Sequence, residues 1–274
     1  MRALAHMTRT SRIRPSTATR WLIVVLLCVL WEVAPRAGWI AELFLPPLSS
    51  TLHAGISNYQ QFGRELVVTL YEVAISMLLA CGGGIVIGAI IGSVAPLRIL
   101  LLPLISTLYA VPLVIIYPLF VVWLGLGPPS KIAFASLIGF FPAALSTAAG
   151  IQTIDPQFLL AARSMGATLS QQITRVILPA SLPTVFAGLR LGGALAIIGV
   201  VVAEMLTAAA GIGYLVTLNR TILDSPRVFA AILMILLMSI AYYLLSRAIE
   251  SRFVVWQSAG KPLQAVQQSA QSTV

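Results

Sequence analysis

Long apolar stretches are the feature that most constrains what this chain can fold into. Those long enough to cross a hydrocarbon layer of about 30 Å cover residues 66–94, 99–124, 132–150, 182–206 and 228–249. A shorter apolar run, residues 21–31, precedes them. Because backbone amides need internal partners in lipid, such segments cross as helices. The sequence therefore predicts an all-α polytopic membrane protein with six transmembrane helices.

Composition excludes a water-soluble domain. Charged residues make up 9% of the 274 residues, against about 25% in an ordinary soluble protein. The formal net charge is +9, but the basic residues punctuate the apolar runs instead of collecting on one soluble face, so membrane lipid and not nucleic acid is the predicted surrounding. The two cysteines show no metal-ligand spacing, and we predict neither a metal site nor a cofactor.

The first apolar run has two interpretations because it follows an arginine-rich start. A cleaved signal peptide begins in this way. However, Glu32, Pro35 and Arg36 follow the run and leave no clean small-residue cleavage site. We therefore predict an uncleaved first span.

Basic residues predict the orientation of the chain. Lys and Arg collect on the cytoplasmic side of membrane proteins. Eleven lie on the side of the two tails, and five lie opposite, at Arg36, Arg64, Lys131, Arg220 and Arg227. Both tails are thus predicted to be cytoplasmic. The predicted organisation is a tail at residues 1–20, one transmembrane domain at 21–256 and a second tail at 257–274.

Small residues and prolines indicate how the spans pack. Gly84, Gly88 and Gly92 lie along one face of the second span and let another helix approach closely. We favour packing within the chain over contact with a second copy. Prolines remove amide donors and predict a kink or an interruption in the third span, at Pro103, Pro112 and Pro118.

Residues 155–183 form the one cytoplasmic connection long enough to have its own structure. Asp155 suits a helix cap, Pro156 suits the first turn, and Gly166 suits the helix end. An apolar stripe at helical spacing lies between them, at Phe158, Leu159, Ala162 and Met165.

A turn and a second short helix should follow the first one. Pro179 and Pro183 predict a break before the fifth span begins. Two short helices joined by a turn would form a rigid projection that suits a protein partner. The alternative is a helix that merely lies on lipid.

This connection resembles the cytoplasmic signature of the permease subunits of bacterial ATP-binding-cassette importers. That signature reads Glu-Ala-Ala, three residues, Gly, nine residues, Ile, one residue, Leu-Pro. The matching residues keep the spacing and are Leu160, Ala161, Ala162, Gly166, Val176, Leu178 and Pro179. In the family the segment is the coupling helix that fits a groove on the ATPase. Leu160 replaces the Glu, so one polar contact of the family's coupling helix is not expected here. Val176 replaces the Ile.

Further fragments between residues 44 and 256 are similar to the nitrate, sulfonate and taurine branch of that family. They include Trp-Leu-Gly-Leu-Gly at 123–127 and Val-Val-Ala-Glu-Met at 201–205. The resemblance implies a type I importer permease fold and a pathway for a small anion such as a sulfonate, taurine or nitrate. It also implies a location in the bacterial inner membrane. The partners that it implies are two ATPase subunits that hydrolyse the ATP, a periplasmic or lipid-anchored substrate-binding protein, and a second permease copy, forming a homodimer.

Ionisable residues in or near the spans are pathway candidates, because a charge at mid-membrane costs about 2.5–3.5 kcal/mol. Glu204 is the first candidate, and the resemblance also puts an acidic residue there; a structural partner of Arg190 or of backbone amides is an equal alternative. Arg190 is the second, with snorkelling as its alternative. Tyr117 is the third, with packing as its alternative. Glu72 is expected to be a solvated residue at a span end.

Two other functions compete with the importer. A secondary transporter driven by an ion gradient requires paired broken spans and coupled carboxylates, and the sequence shows no duplication. A membrane enzyme requires a reactive constellation, but both histidines, His6 and His53, lie outside the spans. The chain also lacks the phosphate-binding G-x-x-x-x-G-K-[ST] loop. We predict no catalytic residue.

Overall fold

The computed structural model describes residues 15–207 and 210–254, and all regular structure in those ranges is helical. Most of the two predicted tails lies outside the described residues. The helices are α1 (Pro15–Arg36), α2 (Leu48–Ser57), α3 (Tyr59–Ser93), α4 (Ala95–Ala110), α5 (Tyr117–Leu124), α6 (Pro128–Gln152), α7 (Pro156–Ser164), α8 (Leu169–Gln172), α9 (Leu178–Thr207), α10 (Ile212–Thr221) and α11 (Ser225–Val254). A 3₁₀ turn, Leu113–Ile116, lies between α4 and α5, and a π-helical turn, Ile173–Ile177, joins α8 to α9.

In the described residues, four helices are long and apolar enough to cross a membrane. They are Tyr59–Ser93, Pro128–Gln152, Leu169–Thr207 and Ser225–Arg252. Ala95–Ala110 and Leu113–Leu124 add a fifth if they count as one span, bent by 83°. The predicted interruption of the third span is therefore confirmed, and Pro112 lies at the break. The count of six spans stays a prediction.

The centre of the bundle is α6, which touches α3 and α9 through small residues. A Cβ atom added at Gly88 would overlap the backbone of Ala144 and lie 2.8 Å from the Cβ of Thr147. One added at Gly192 would lie 2.6 Å from the carbonyl oxygen of Gly139. Only residues with almost no side chain allow this approach. The glycine face of the second span packs within the chain, as predicted.

Two ends of the bundle differ in structure. At the α7 end, α7 follows α6 in the chain and contacts α8 and the π-helical turn. At the α10 end, the short helices α2 and α10 lie near the starts of α3 and α11. The sequence did not predict α2 or α10 because each has only ten residues. α10 is nevertheless part of the core, since Ile212, Leu215 and Val216 pack in one cluster with Phe62 and Ala230.

The fifth predicted span is one continuous helix, and its predicted break at the prolines is wrong. Residues Leu169–Thr207 form a single helix that contains the π turn Ile173–Ile177. The N–H of Leu178 donates to the carbonyl of Ile173, five residues back. The hydrogen-bond ladder has thus already shifted when Pro179 removes a donor, which lets the helix continue.

The contact between α3 and α6 predicts opposite effects for two glycines of one helix. Gly88→Ala should destabilise the protein by about 1–3 kcal/mol, because the new methyl group overlaps the α6 backbone. Gly82→Ala is the matched control: no atom lies within 4 Å of its added Cβ, and stability should rise by about 0.5–1 kcal/mol. Thermal unfolding in detergent measures both. An equal midpoint for the two variants would contradict the close contact.

Candidate functional site

The first candidate site is α7, which forms where the sequence predicts a helix. The carboxylate of Asp155 accepts a hydrogen bond from the N–H of Gln157 at 2.9 Å, and Pro156 occupies the first turn. Gly166 follows the helix end with φ +74°, a conformation that glycine adopts at little cost. The predicted cap, start and end of this helix are therefore confirmed.

α7 is attached to the start of the long helix Leu169–Thr207. Ala162 is 4% exposed and is the buried residue of α7. The Nε of Arg163 donates to Oε1 of Gln172 at 3.3 Å, and Nε2 of Gln172 donates to the carbonyl of Ala167 at 2.9 Å. A displacement of α7 would consequently move the end of the long helix as well.

The predicted apolar stripe of α7 is divided between two sides. Ala162 faces inward and Leu159 is half-buried. Phe158, Leu160 and Met165 are 61%, 67% and 81% exposed. Leu160 also borders a groove of about 350 Å³. Large apolar side chains exposed together are typical of a surface that contacts another molecule.

The second candidate site is a buried polar cluster at the α10 end. The Nζ of Lys131, in the first turn of α6, lies 2.6 Å from Oε1 of Glu72 on α3, and the two side chains are 3% and 0% exposed. Lys131 also donates to the carbonyl of Ala210 at 3.3 Å. The prediction of a solvated Glu72 is wrong. The structure turns Lys131 inward, and the pair neutralises two charges that would be costly to bury alone.

Glu204 belongs to the same region and is fully buried. Its Oε1 accepts a hydrogen bond from the hydroxyl of Thr69 at 2.7 Å, and its Oε2 accepts one from the N–H of Gly213 at 2.8 Å. The carboxylate therefore lies at the N-terminus of α10, where unpaired amides and the helix dipole favour a negative charge. This geometry matches the structural alternative of a partner for backbone amides.

Two further amides at the start of α10 have acceptors on α3. The N–H of Gly211 donates to Oε2 of Glu65 at 2.6 Å, and the N–H of Ile212 donates to Oγ1 of Thr69 at 2.8 Å. Gly211 has φ +107°, and its added Cβ would overlap the carboxylate of Glu204. The segment must carry glycine here to reach these acceptors. α3 and α9 thus anchor α10 together.

The three pathway candidates have different partners. Arg190 pairs with Glu250 of α11 at 2.6 Å, not with Glu204, and its side chain is 35% exposed. Tyr117 is 1% exposed, with its hydroxyl 2.8 Å from Oγ1 of Thr207. Glu204 and Tyr117 therefore face the interior of the chain. The pathway role of all three residues stays a prediction.

Sequence reasoning missed Glu65, Thr69 and Lys131 as members of the polar cluster. One signal was available for α3. Glu65, Thr69 and Glu72 follow the spacing i, i+4 and i+7, which puts three polar side chains on one face of an otherwise apolar helix. Such a polar stripe inside a span indicates buried partners.

Comparisons with known proteins agree with the architecture. Residues 84–255 match the family model of the binding-protein-dependent transport system inner membrane component. The taurine transport system permease protein TauC of Escherichia coli is 32% identical over 250 residues, 89% of this chain and 90% of that protein. SsuC of Bacillus subtilis, a permease named for aliphatic sulfonate transport, is 30% identical over 241 residues, 87% of each chain. A chain of the inward-facing MetNI methionine ABC transporter shares the fold, with a TM-score of 0.64 and 16% identity, over 71% of this chain and 97% of that one.

The buried ion pair predicts strong coupling between two substitutions. Glu72→Gln or Lys131→Met alone should each cost about 3–5 kcal/mol, because each leaves one charge buried without its partner. The double variant should cost clearly less than the sum. Arg36→Gln breaks an exposed pair with Glu32, with side chains 61% and 29% exposed, and should cost at most about 1 kcal/mol. Thermal midpoints of the four variants and the wild type in detergent test this, and additive losses would refute the pairing.

Proposed function

The chain belongs to the family of binding-protein-dependent transport system inner membrane components, and we propose that it carries a sulfonate or a similar small organic anion into a bacterial cell. It is the membrane-spanning subunit of an ATP-binding-cassette importer. The self-sufficient secondary transporter has no support among the relatives, which are transport permeases of this type. The single observation that carries the assignment as an importer permease is the match of residues 84–255, which contains α7 and most of the spans.

We propose that α7 is the surface on which a separate ATPase subunit docks. The exposed side chains Phe158, Leu160 and Met165 supply apolar contact area, and the capped helix presents them in one conformation. The signature residues Leu160 to Ala162, Gly166, Val176, Leu178 and Pro179 form or support this surface. Two ATPase subunits would bind two permease copies, most simply two copies of this chain.

The transport step in this proposal is a tilt of the long helix. When the ATPases close on ATP, they would push α7, which is attached to the start of Leu169–Thr207 by the hydrogen bond of Arg163 with Gln172. That helix has 39 residues and is about 58 Å long at 1.5 Å per residue. Its far end carries Glu204 and therefore α10. A small rotation at α7 would thus move the α10 end of the bundle.

The orientation that fits this mechanism puts the α7 end in the cytoplasm and the α10 end outside. We retain α1 as the first of six spans, with both tails cytoplasmic and one transmembrane domain at residues 21–256. In the second permease copy the same elements would complete a pathway between the two chains. Arg190 remains the pathway candidate with an exposed side chain, while Glu204 and Tyr117 would act from behind the pathway by positioning α9 and α10.

The substrate proposal rests on the relatives. One relative is named for taurine and another for aliphatic sulfonates, and this chain covers 90% and 87% of their lengths. Taurine and alkanesulfonates share a sulfonate group, which is an anion at neutral pH. A periplasmic or lipid-anchored binding protein would select among such anions and deliver one to the permease.

Docking of the ATPase at α7 predicts that one charged substitution separates the subunits. Phe158→Asp should lower the amount of ATPase that co-purifies with the tagged permease by at least about tenfold, because the apolar contact becomes a buried charge. Gln61→Asp adds the same charge to an exposed residue of α3 near the α10 end and should retain the ATPase. Ala162→Arg and Gly166→Asp should also lose it, through distortion of α7. Full retention by Phe158→Asp at equal membrane levels would refute the docking surface.

ATP-driven import predicts independence from ion gradients. Proteoliposomes that contain the permease with its ATPase should accumulate labelled taurine or an alkanesulfonate only with ATP on the ATPase side and binding protein on the other. Ionophores that collapse proton and sodium gradients should leave the initial rate within about twofold, since ATP closure supplies the driving force in this mechanism. Uptake that needs the gradient and not ATP would instead favour the secondary transporter.

A further inference from the structure

The turn between α10 and α11 contains a leucine in a strained conformation. Leu223 has φ +59° and is the non-glycine residue with positive φ within residues 15–207 and 210–254. The N–H of Leu223 donates to the carbonyl of Arg220 at 3.2 Å, and the N–H of Asp224 donates to that of Asn219 at 2.9 Å. This pair of bonds closes a helix in the way that normally employs glycine at the left-handed position. A leucine is disfavoured there, because its Cβ crowds the following carbonyl.

Folding of the chain does not account for this leucine. The Leu223 side chain is 67% exposed, and its neighbour Ile222 is 61% exposed. Leu223 therefore adds little to the core while its backbone is strained. Strain of this kind persists where the surrounding structure enforces it and is concentrated at functional positions. A molecule that covers Leu223 would give the side chain a contact that the single chain lacks.

A polar groove lies directly beside this turn. It has a volume of about 580 Å³ and is lined on one side by α2, including Ser50 and His53, and on the other by Asp224 and Arg227. Arg227 remains 39% exposed in its pair with Asp224, and Arg220 is exposed at the end of α10. The turn therefore presents an apolar tip with the cationic Arg220 on one side and the ion pair of Asp224 with Arg227 on the other.

The α2 wall of the groove is held in place by hydrogen bonds within the chain. The carboxylate of Glu32 accepts hydrogen bonds from the N–H and the hydroxyl of Ser49, both at 2.9 Å. The indole of Trp31 donates to the carbonyl of Pro46 at 2.9 Å. α2 is thus fixed to α1 at its start. A surface with fixed walls loses little conformational freedom when a partner binds.

We propose that Leu223, with Ile222 and the neighbouring groove, is the docking point for one lobe of the substrate-binding protein. The lobe that fits has an apolar hollow for Leu223, a carboxylate that faces Arg220, and polar side chains that face the pair of Asp224 with Arg227. Polar lining and charges on both sides of the leucine favour a protein over lipid as the occupant. This assignment rests on the proposed function, which requires a binding protein at the α10 end.

The position of Leu223 connects a docked protein to α9 through α10. α10 begins at the carboxylate of Glu204 and ends two residues before Leu223. A lobe that holds the turn therefore holds one end of a ten-residue helix whose other end is bonded to α9. Docking would favour the arrangement of α9 in which the turn fits the lobe best.

The test measures binding-protein affinity and stability on the same variants. The permease with its ATPase is placed in nanodiscs, and purified taurine-type and sulfonate-type binding proteins from the same genome are titrated. Leu223→Gly relieves the strain, so its thermal midpoint should equal or exceed that of the wild type, while its affinity should fall at least about tenfold. Leu126→Ala is the matched control, because Leu126 is 74% exposed in another connection between helices; its affinity should stay within twofold.

Each other outcome has a definite meaning. Unchanged affinity in Leu223→Gly overturns this docking point and leaves the proposed function intact; this is also the result expected if Leu223 merely sits in lipid. Dissociation of Leu223→Gly into single permease chains assigns the turn to the contact between copies and overturns the proposal. If none of the binding proteins binds the wild-type complex, the proposed requirement for a binding protein fails, and this docking point fails with it.

Discussion

The backbone contact of α6 with its two neighbours is the constraint on which the rest of this structure depends. Gly84, Gly88 and Gly92 of α3 lie against the α6 backbone, and Gly139 of α6 lies against Gly192 of α9. Because these glycines put no side chain of their own between the helices, α3, α6 and α9 approach closely there. Longer side chains at the α10 end then reach across. The ion pair of Lys131 with Glu72 and the hydrogen bond of Thr69 with Glu204 both require this approach.

The polar cluster fixes the register of the helices more than it adds stability. A buried ion pair recovers little free energy beyond what its two partners lose on leaving water. However, the free energy of the pair depends strongly on how the two helices are aligned. A shift of one residue between α3 and α6 would leave both charges unpaired. Glu204 fixes the position of α10 in the same way, because the first amides of α10 have few other acceptors among apolar helices. The small residues set the distance between helices, and the charges set their alignment.

Local signals made part of this structure predictable from sequence. Asp155, Pro156 and Gly166 specify the start and the end of α7 within a dozen residues, and the three glycines of α3 specify a packing face. The polar cluster was not predictable in the same way. Lys131 and Glu72 are 59 positions apart, and the sequence rule that assigns loop cations to orientation gave Lys131 a different role. The break expected at Pro179 does not occur, because the π turn before it shifts the hydrogen-bond pattern and the helix continues without the amide donor that proline lacks.

The continuity of Leu169–Thr207 has a thermodynamic consequence for the proposed transport cycle. One helix joins the α7 surface to Glu204, and Glu204 joins it to α10. If the position of this helix differs between two states, any ligand that prefers one state at the α7 end also changes affinities at the α10 end. Linkage requires the reverse effect to be equal in size. A binding protein that docks at the α10 turn would therefore favour ATPase closure by the same factor by which closure favours docking. No separate signal between the two ends is needed, because one helix connects them, through α7 at one end and through Glu204 and α10 at the other.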